Sequence, residues 1–128
     1  NVLVLGGIFD LQNVHEQPPN PAYAEVYDRD SKAFRLLLTP RLPQRNYTAT
    51  LVDNGKVLLV GGADTSGVVG TFEFLDPSTG GVIDAGRLTT ARVGHTATHL
   101  NDGRVLVTGG VDVNGNALAT AELWAESN

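Results

Sequence analysis

The chain has 128 residues, enough for one domain with a modest core, and its 9 basic against 14 acidic side chains give a formal charge of −5 with histidine neutral. That balance argues against a nucleic-acid surface or a face for anionic membranes, and no stretch approaches the ~20 apolar residues that span a bilayer. Cysteine is absent, which excludes a disulfide scaffold, thiol catalysis and cysteine-based zinc sites, while 15 glycines and 6 prolines predict many turns and little helix.

In chain order, the first predicted strand is the apolar run Val2, Leu3, Val4, Leu5, closed by Gly6 and Gly7. A loop over 8–23 follows, then strands at 24–27 and 34–38. A half-buried strand is predicted at 47–52, where small polar and apolar residues alternate. Asn54 and Gly55 predict a two-residue hairpin turn with positive φ at both positions. The run 56–60 then reads as a strand buried on both faces, ended by Gly61 and Gly62. After a loop at 63–71 comes a strand at 72–75. A polar turn through Asp76, Pro77, Ser78, Thr79 and Gly80 leads to a short strand at 82–85. The grammar then starts again: strand 95–100, turn at Asp102 and Gly103, doubly buried strand 104–108, Gly109 and Gly110, loop 111–120, strand 121–124.

That recurrence is a repeat of 48 residues. Thr48, Ala49 and Thr50 match Thr96, Ala97 and Thr98; Gly61 and Gly62 match Gly109 and Gly110; Glu25 matches Glu73 at the same offset. Glu122 follows Glu73 at 49, and Gly6 precedes Gly61 by 55. Each unit is a four-stranded antiparallel meander whose apolar faces have nothing inside the sheet to cover them. Stacking of neighbouring twisted sheets covers them, and radial stacking gives a propeller.

The combination of a glycine pair after an apolar strand, an aromatic in the next strand (Tyr27, Trp124) and Arg92 with His95, Thr96, Ala97 and Thr98 opening a unit resembles the kelch motif, in the version found in bacterial kelch proteins and galactose-oxidase-like propellers. The resemblance covers essentially the whole chain. It departs from the family pattern at Phe34 and Ile83, where a tryptophan is usual, and at Asn46 and Tyr47, which stand where the last unit has Gly94 and His95. It implies an all-β fold: a partial blade with strands 2–4 over 1–44, a complete blade over 45–91, and a partial blade with strands 1–3 over 92–128. Such propellers close with five to seven blades. The chain is therefore expected to be part of a longer polypeptide, its partner in closure being the rest of its own propeller or another copy; ten strands from each of two copies match five blades.

Groups that recur every period serve the blade, and groups that break the period are the better functional candidates. On this rule Glu25, Glu73 and Glu122, with Arg45 and Arg92, are read as buried or half-buried ion pairs or backbone-capping carboxylates, not as acid/base catalysts. Gly6, Gly7, Gly61, Gly62, Gly109 and Gly110 are structural, as is His95. His95 and His99 share a strand face at a Cα spacing of ~13 Å, too wide for one metal ion. Asp64 to Gly67 and Asp112 to Gly115 lack the further acidic ligands of a calcium loop and read as hairpin turns. Asn46, Tyr47 and Thr48 form a glycosylation sequon read as accidental. The loop 8–23 has no counterpart: it holds 16 residues where 63–71 and 111–120 hold 9 and 10, and carries Phe9, Asp10, His15, Glu16 and Tyr23, a candidate binding loop.

The resulting expectation is a non-catalytic scaffold that binds a protein partner or ligand through rim loops, with no metal and no cofactor. An extracellular or cell-envelope setting is expected from the resemblance and from 2 lysines against 7 arginines. The competing expectations are blades of a larger galactose-oxidase-like enzyme whose active site lies elsewhere, and a structural subunit of a surface assembly.

Overall fold

A computed structural model describes residues 1–5, 23–38, 46–64 and 66–126, and every regular element among them is a strand. In chain order these are β1 (Val2–Leu5), β2 (Tyr23–Asp28), β3 (Ala33–Leu38), β4 (Thr48–Leu51), β5 (Val57–Val60), β6 (Ala63–Asp64), β7 (Gly67–Val68), β8 (Thr71–Leu75), β9 (Val82–Arg87), β10 (Thr96–His99), β11 (Val105–Thr108) and β12 (Ala121–Trp124). They form three antiparallel meanders, β1-β2-β3, β4-β5-β8-β9 and β10-β11-β12, with β6 and β7 pairing as a small ribbon in the loop after β5. Gly6, Gly7 and Arg45 lie outside the described residues.

Short runs of valine and leucine make these strands, and local hydrogen bonding ends them. The hairpins after β4 and β10 differ from the expected two-residue turn. Gly55 N donates to Val52 O at 3.0 Å, Val52 N donates to Lys56 O at 3.0 Å, and only Gly55, at φ 82°, is left-handed. The turn is therefore a three-residue loop through Asp53, Asn54 and Gly55, of the kind in which a glycine bulge follows a right-handed turn. Asn54 stays right-handed because its Oδ1 accepts the Lys56 N–H at 2.9 Å, a bond that offers the backbone a local alternative. Leu100, Gly103 (φ 90°) and Arg104 repeat the arrangement, with Asp102 in the role of Asn54.

The register places the core. Val57 and Leu59 point to one face of the middle sheet and join Ala24, Val26, Leu37 and Leu75. Leu58 and Val60 point to the other and join Phe72, Val105, Val107 and Trp124. The middle sheet is thus covered on both sides, and all four residues of β5 are buried. Each such side chain contributes roughly 1.5–3 kcal/mol by leaving water. β11 departs from the expected double burial: Val105 and Val107 are buried against the middle sheet, while Leu106 and Thr108 on the reverse face are only half-buried, because no described sheet covers them.

The two outer faces are open and partly apolar. On β1-β2-β3 the exposed side includes Val2, Val4, Phe34 (61% exposed) and Leu36, with the Tyr27 and Phe34 rings 5.1 Å apart. On β10-β11-β12 it includes Leu123, 51% exposed. A bulge in β9 shifts the register so that Phe72 opposes Gly86 while Glu73 opposes Asp84, which leaves Ala85 as the extra residue. Its carbonyl faces Trp124 Nε1 across the sheet interface at 3.5 Å, a long hydrogen bond.

Candidate functional site

The best-defined polar cluster among the described residues lies where the segment entering β10 crosses the end of β5. Arg92 is fully buried. Its Nη1 donates to the carbonyls of Gly109 and Thr120, each at 3.0 Å, and its Nη2 to Thr120 Oγ1 at 3.2 Å and Glu122 Oε2 at 2.9 Å. Its Nε reaches Thr90 O at 3.4 Å. A buried guanidinium needs each N–H answered, and here two carbonyls where β11 ends and β12 begins answer two of them, while Thr120 Oγ1, Glu122 and the Thr90 carbonyl take the others.

Glu122 completes the arrangement. It takes the backbone N–H of Thr89 at 2.6 Å and of Thr90 at 3.2 Å, in addition to the Arg92 guanidinium. Burial opposes its charge, but the Thr89 and Thr90 N–H groups and the guanidinium outweigh that and hold the carboxyl below the usual glutamate range. The carboxylate is at once an ion-pair partner and a backbone cap, the two structural roles expected of the periodic glutamates. Its repeat equivalents differ in setting. Glu25 is exposed on the outer face of the first sheet, and Glu73 is half-buried between the first and middle sheets.

The backbone of the same segment ties two sheets together. Gly62 N donates to Arg92 O at 3.0 Å. Gly61 (φ 59°) lies so close to the Arg92 carbonyl and the His95 ring that a Cβ there would stand 2.7 Å from His95 Cε1. The glycine pair thus serves for close approach as well as for its backbone angles. His95 is buried, and its Nε2 shares a hydrogen bond of 3.1 Å with Thr48 Oγ1 in the neighbouring sheet. Its Nδ1 has no well-aligned partner, although the Val60 and Arg92 carbonyls lie near the ring. Burial keeps the ring below the ordinary imidazole range, with the Arg92 charge acting the same way and the two carbonyls opposing it.

His99 takes a different partner. It sits at the far end of β10 and meets Asp53 Oδ1 at 3.2 Å, again across the sheet boundary. The two histidines expected to share a face therefore bridge to the neighbouring sheet at opposite ends of one strand. Among the described residues no group of three His, Cys, Asp or Glu is placed to hold a metal ion. The Asp64 and Asp112 turns are hairpins: Asp64 Oδ1 accepts from Ser66 N at 2.8 Å, and Asp112 Oδ1 from Asn114 N at 2.9 Å and Asn116 N at 3.0 Å. Thr48 opens β4, so the sequon threonine is a strand residue.

Sequence reasoning misses the contacts of Asp53, Thr89, Thr90 and Thr120, and reads Thr48 only as a repeat position and part of a sequon. Thr48 was detectable as a repeat position, since Thr96 matches it, but its bond to His95 depends on which sheet lies opposite. Of the candidate binding loop, Phe9, Asp10, His15 and Glu16 lie outside the described residues, and Tyr23 is placed by its backbone as the first residue of β2. No helix of the described residues is long and apolar enough to cross a membrane.

The cluster's hydrogen-bonding capacity is directed inward, to carbonyls and threonines of the protein itself, so its chemistry is that of a fastening between sheets. Compared with known proteins, the chain matches no family model and no curated protein sequence.

Proposed function

We propose that the chain is a segment of a kelch-type β-propeller that acts as a non-catalytic recognition scaffold, contacting a protein partner or ligand through loops on one rim. The observation that carries this reading is the alternation along β5: Val57 and Leu59 face one neighbouring sheet, Leu58 and Val60 the other. Sheets stacked this way by units that recur about every 48 residues, with first strands β4 and β10 against each other, match radial repetition. The loop between β1 and β2 leaves from the same end of its sheet as those after β5 and β11, and its sequence carries the off-period residues Phe9, Asp10, His15 and Glu16, with Tyr23 opening β2. Bound partners on such rigid scaffolds generally meet the loops. An extracellular or cell-envelope setting belongs to the same proposal.

The strand grouping bears on how a ring would close. Among the described residues the three stacked sheets hold three, four and three strands, so two copies would bring six such sheets, two of them four-stranded, and not five four-stranded blades. Closure by further units of the same polypeptide accounts better for this grouping.

Electron microscopy of the full-length polypeptide tests the proposal. A ring of radial sheets around a central channel is expected, and an open or two-layered particle would refute it. A copper titration with an oxidase assay on the same sample separates the scaffold from the galactose-oxidase-like alternative. Oxidase activity lost on mutation within residues 1–128 would overturn the non-catalytic reading.

A further inference from the structure

The interface between the middle sheet and β10-β11-β12 has a second, open counterpart on the molecule. Gly61 is covered by Arg92 and His95 of the following unit, whereas Gly109, its equivalent 48 residues on, has the same left-handed backbone (φ 72°) and nothing within 4 Å of where a Cβ would stand. Thr48 bonds His95, whereas its equivalent Thr96 is exposed and bonds Thr108 Oγ1 at 2.8 Å. Leu58 and Phe74 lie in the core shared with the next sheet, whereas their equivalents Leu106 and Leu123 are half-buried and exposed. Three features that receive a neighbour in one sheet are thus present and uncovered in the next. The registers agree: Leu58 opposes Phe74 in the middle sheet as Leu106 opposes Leu123 in the last.

We infer that the outward face of β10-β11-β12, centred on Gly109, Thr96, Leu106 and Leu123, is a docking surface for one further unit of this repeat, whose opening Arg-x-x-His segment settles on Gly109 as Arg92 and His95 settle on Gly61. The inference rests on the stacking in the proposed function, but not on ring closure or on rim binding, each of which can fail while the stack extends. The occupant is set by continuity with the existing interface: a left-handed glycine open to close approach, a threonine hydroxyl for an imidazole nitrogen, and an apolar strip for an apolar sheet face.

The chain contains no cysteine, so one introduced thiol reports on this face alone. Leu123→Cys is made in the chain as it stands and in an extended chain, in which Trp124 is followed by a second copy of residues 76–126; Trp124 and Leu75 hold the same repeat position. Val113→Cys, in the exposed loop between β11 and β12, is made in both as a control. The expected result is that maleimide modifies Leu123→Cys about tenfold more slowly, or slower still, in the extended chain, with Val113→Cys unchanged. Replacing the appended copy of His95 by alanine is expected to restore much of the rate. Equal reactivity of Leu123→Cys in both chains, whether or not the added unit folds, would overturn the inference. So would protection in the unextended chain that grows with concentration, since that places a second copy on this face.

Discussion

His95 lies over Gly61, its Cε1 2.7 Å from where a methyl on the Gly61 Cα would be, while Gly109, the same repeat position one unit later, faces open space. Both glycines are left-handed. Alanine at either position costs the left-handed penalty of about 1–2 kcal/mol. Only Gly61→Ala must also displace the Arg92 carbonyl and the His95 ring, an overpacking cost of about 1–3 kcal/mol more. Urea denaturation of the two variants is expected to show Gly61→Ala clearly the less stable. Equal losses would mean that the sheets do not approach at Gly61.

Truncating Glu122 leaves a fully buried Arg92 without its counter-charge. Glu122→Ala is expected to cost about 3–5 kcal/mol, because the desolvated guanidinium and the Thr89 and Thr90 N–H groups all lose a partner. The pair between Arg104 and Asp102 is shorter, at 2.8 Å, but about half exposed on both sides. Asp102→Ala is expected to cost far less than Glu122→Ala, because water screens its ion pair with Arg104 and leaves mainly the turn bond to Arg104 N to be lost. Burial, not distance, sets the order, and chemical denaturation of both variants checks it.

Acid is expected to weaken the fold in two stages. The His95 pKa is lowered from 6.5 by burial, so the unfolded chain binds the extra proton first. The stability tied to neutral His95 is complete above pH 6.5 and falls as pH drops below it, through the folded-state pKa. Glu122, held below 4.5, adds a second loss beneath that pH. Denaturation midpoints measured from pH 8 to pH 4 should fall below 6.5, and His95→Gln should flatten the upper stage. A midpoint indifferent to pH between 6.5 and 5 would show that His95 is not buried as described.

Leu58 and Leu106 occupy the same position in successive units, but one is fully buried and the other half-buried. Leu58→Ala is expected to cost about 2–5 kcal/mol and Leu106→Ala well under half of that. Similar costs in thermal denaturation would require a cover over Leu106 that the described residues do not supply.

The strands were legible because each is a short valine- and leucine-rich or alternating run bounded by glycine or a polar turn, and the 48-residue offset aligned them. Glu122 and Arg92 were legible as partners through their recurrence. The turn at Asn54 and Gly55 was misread because the same dipeptide suits a two-residue turn and a glycine bulge; the deciding bond, Asn54 Oδ1 to Lys56 N, is a matter of side-chain geometry. β11 was expected to be buried twice because its sequence matches β5, yet burial belongs to the neighbour as much as to the strand. His95 and His99 were placed on one face by strand spacing, which carries no information about what the adjacent sheet offers each of them. The residues of loop 8–23 held no periodic signal, and apart from Tyr23, which opens β2, they lie outside the described residues.

The central claim is that consecutive units pack sheet against sheet, and the single tryptophan reports on it. The Trp124 ring, on the last sheet, stands edge-on to Phe74, on the middle one, with ring centroids 5.5 Å apart. Nuclear Overhauser measurements should give strong contacts between the Trp124 indole protons and the Phe74 ring, with further contacts to the core methyls of Leu58 and Val60. An indole that touches only residues of its own sheet and exchanges freely with water would contradict the stacked arrangement.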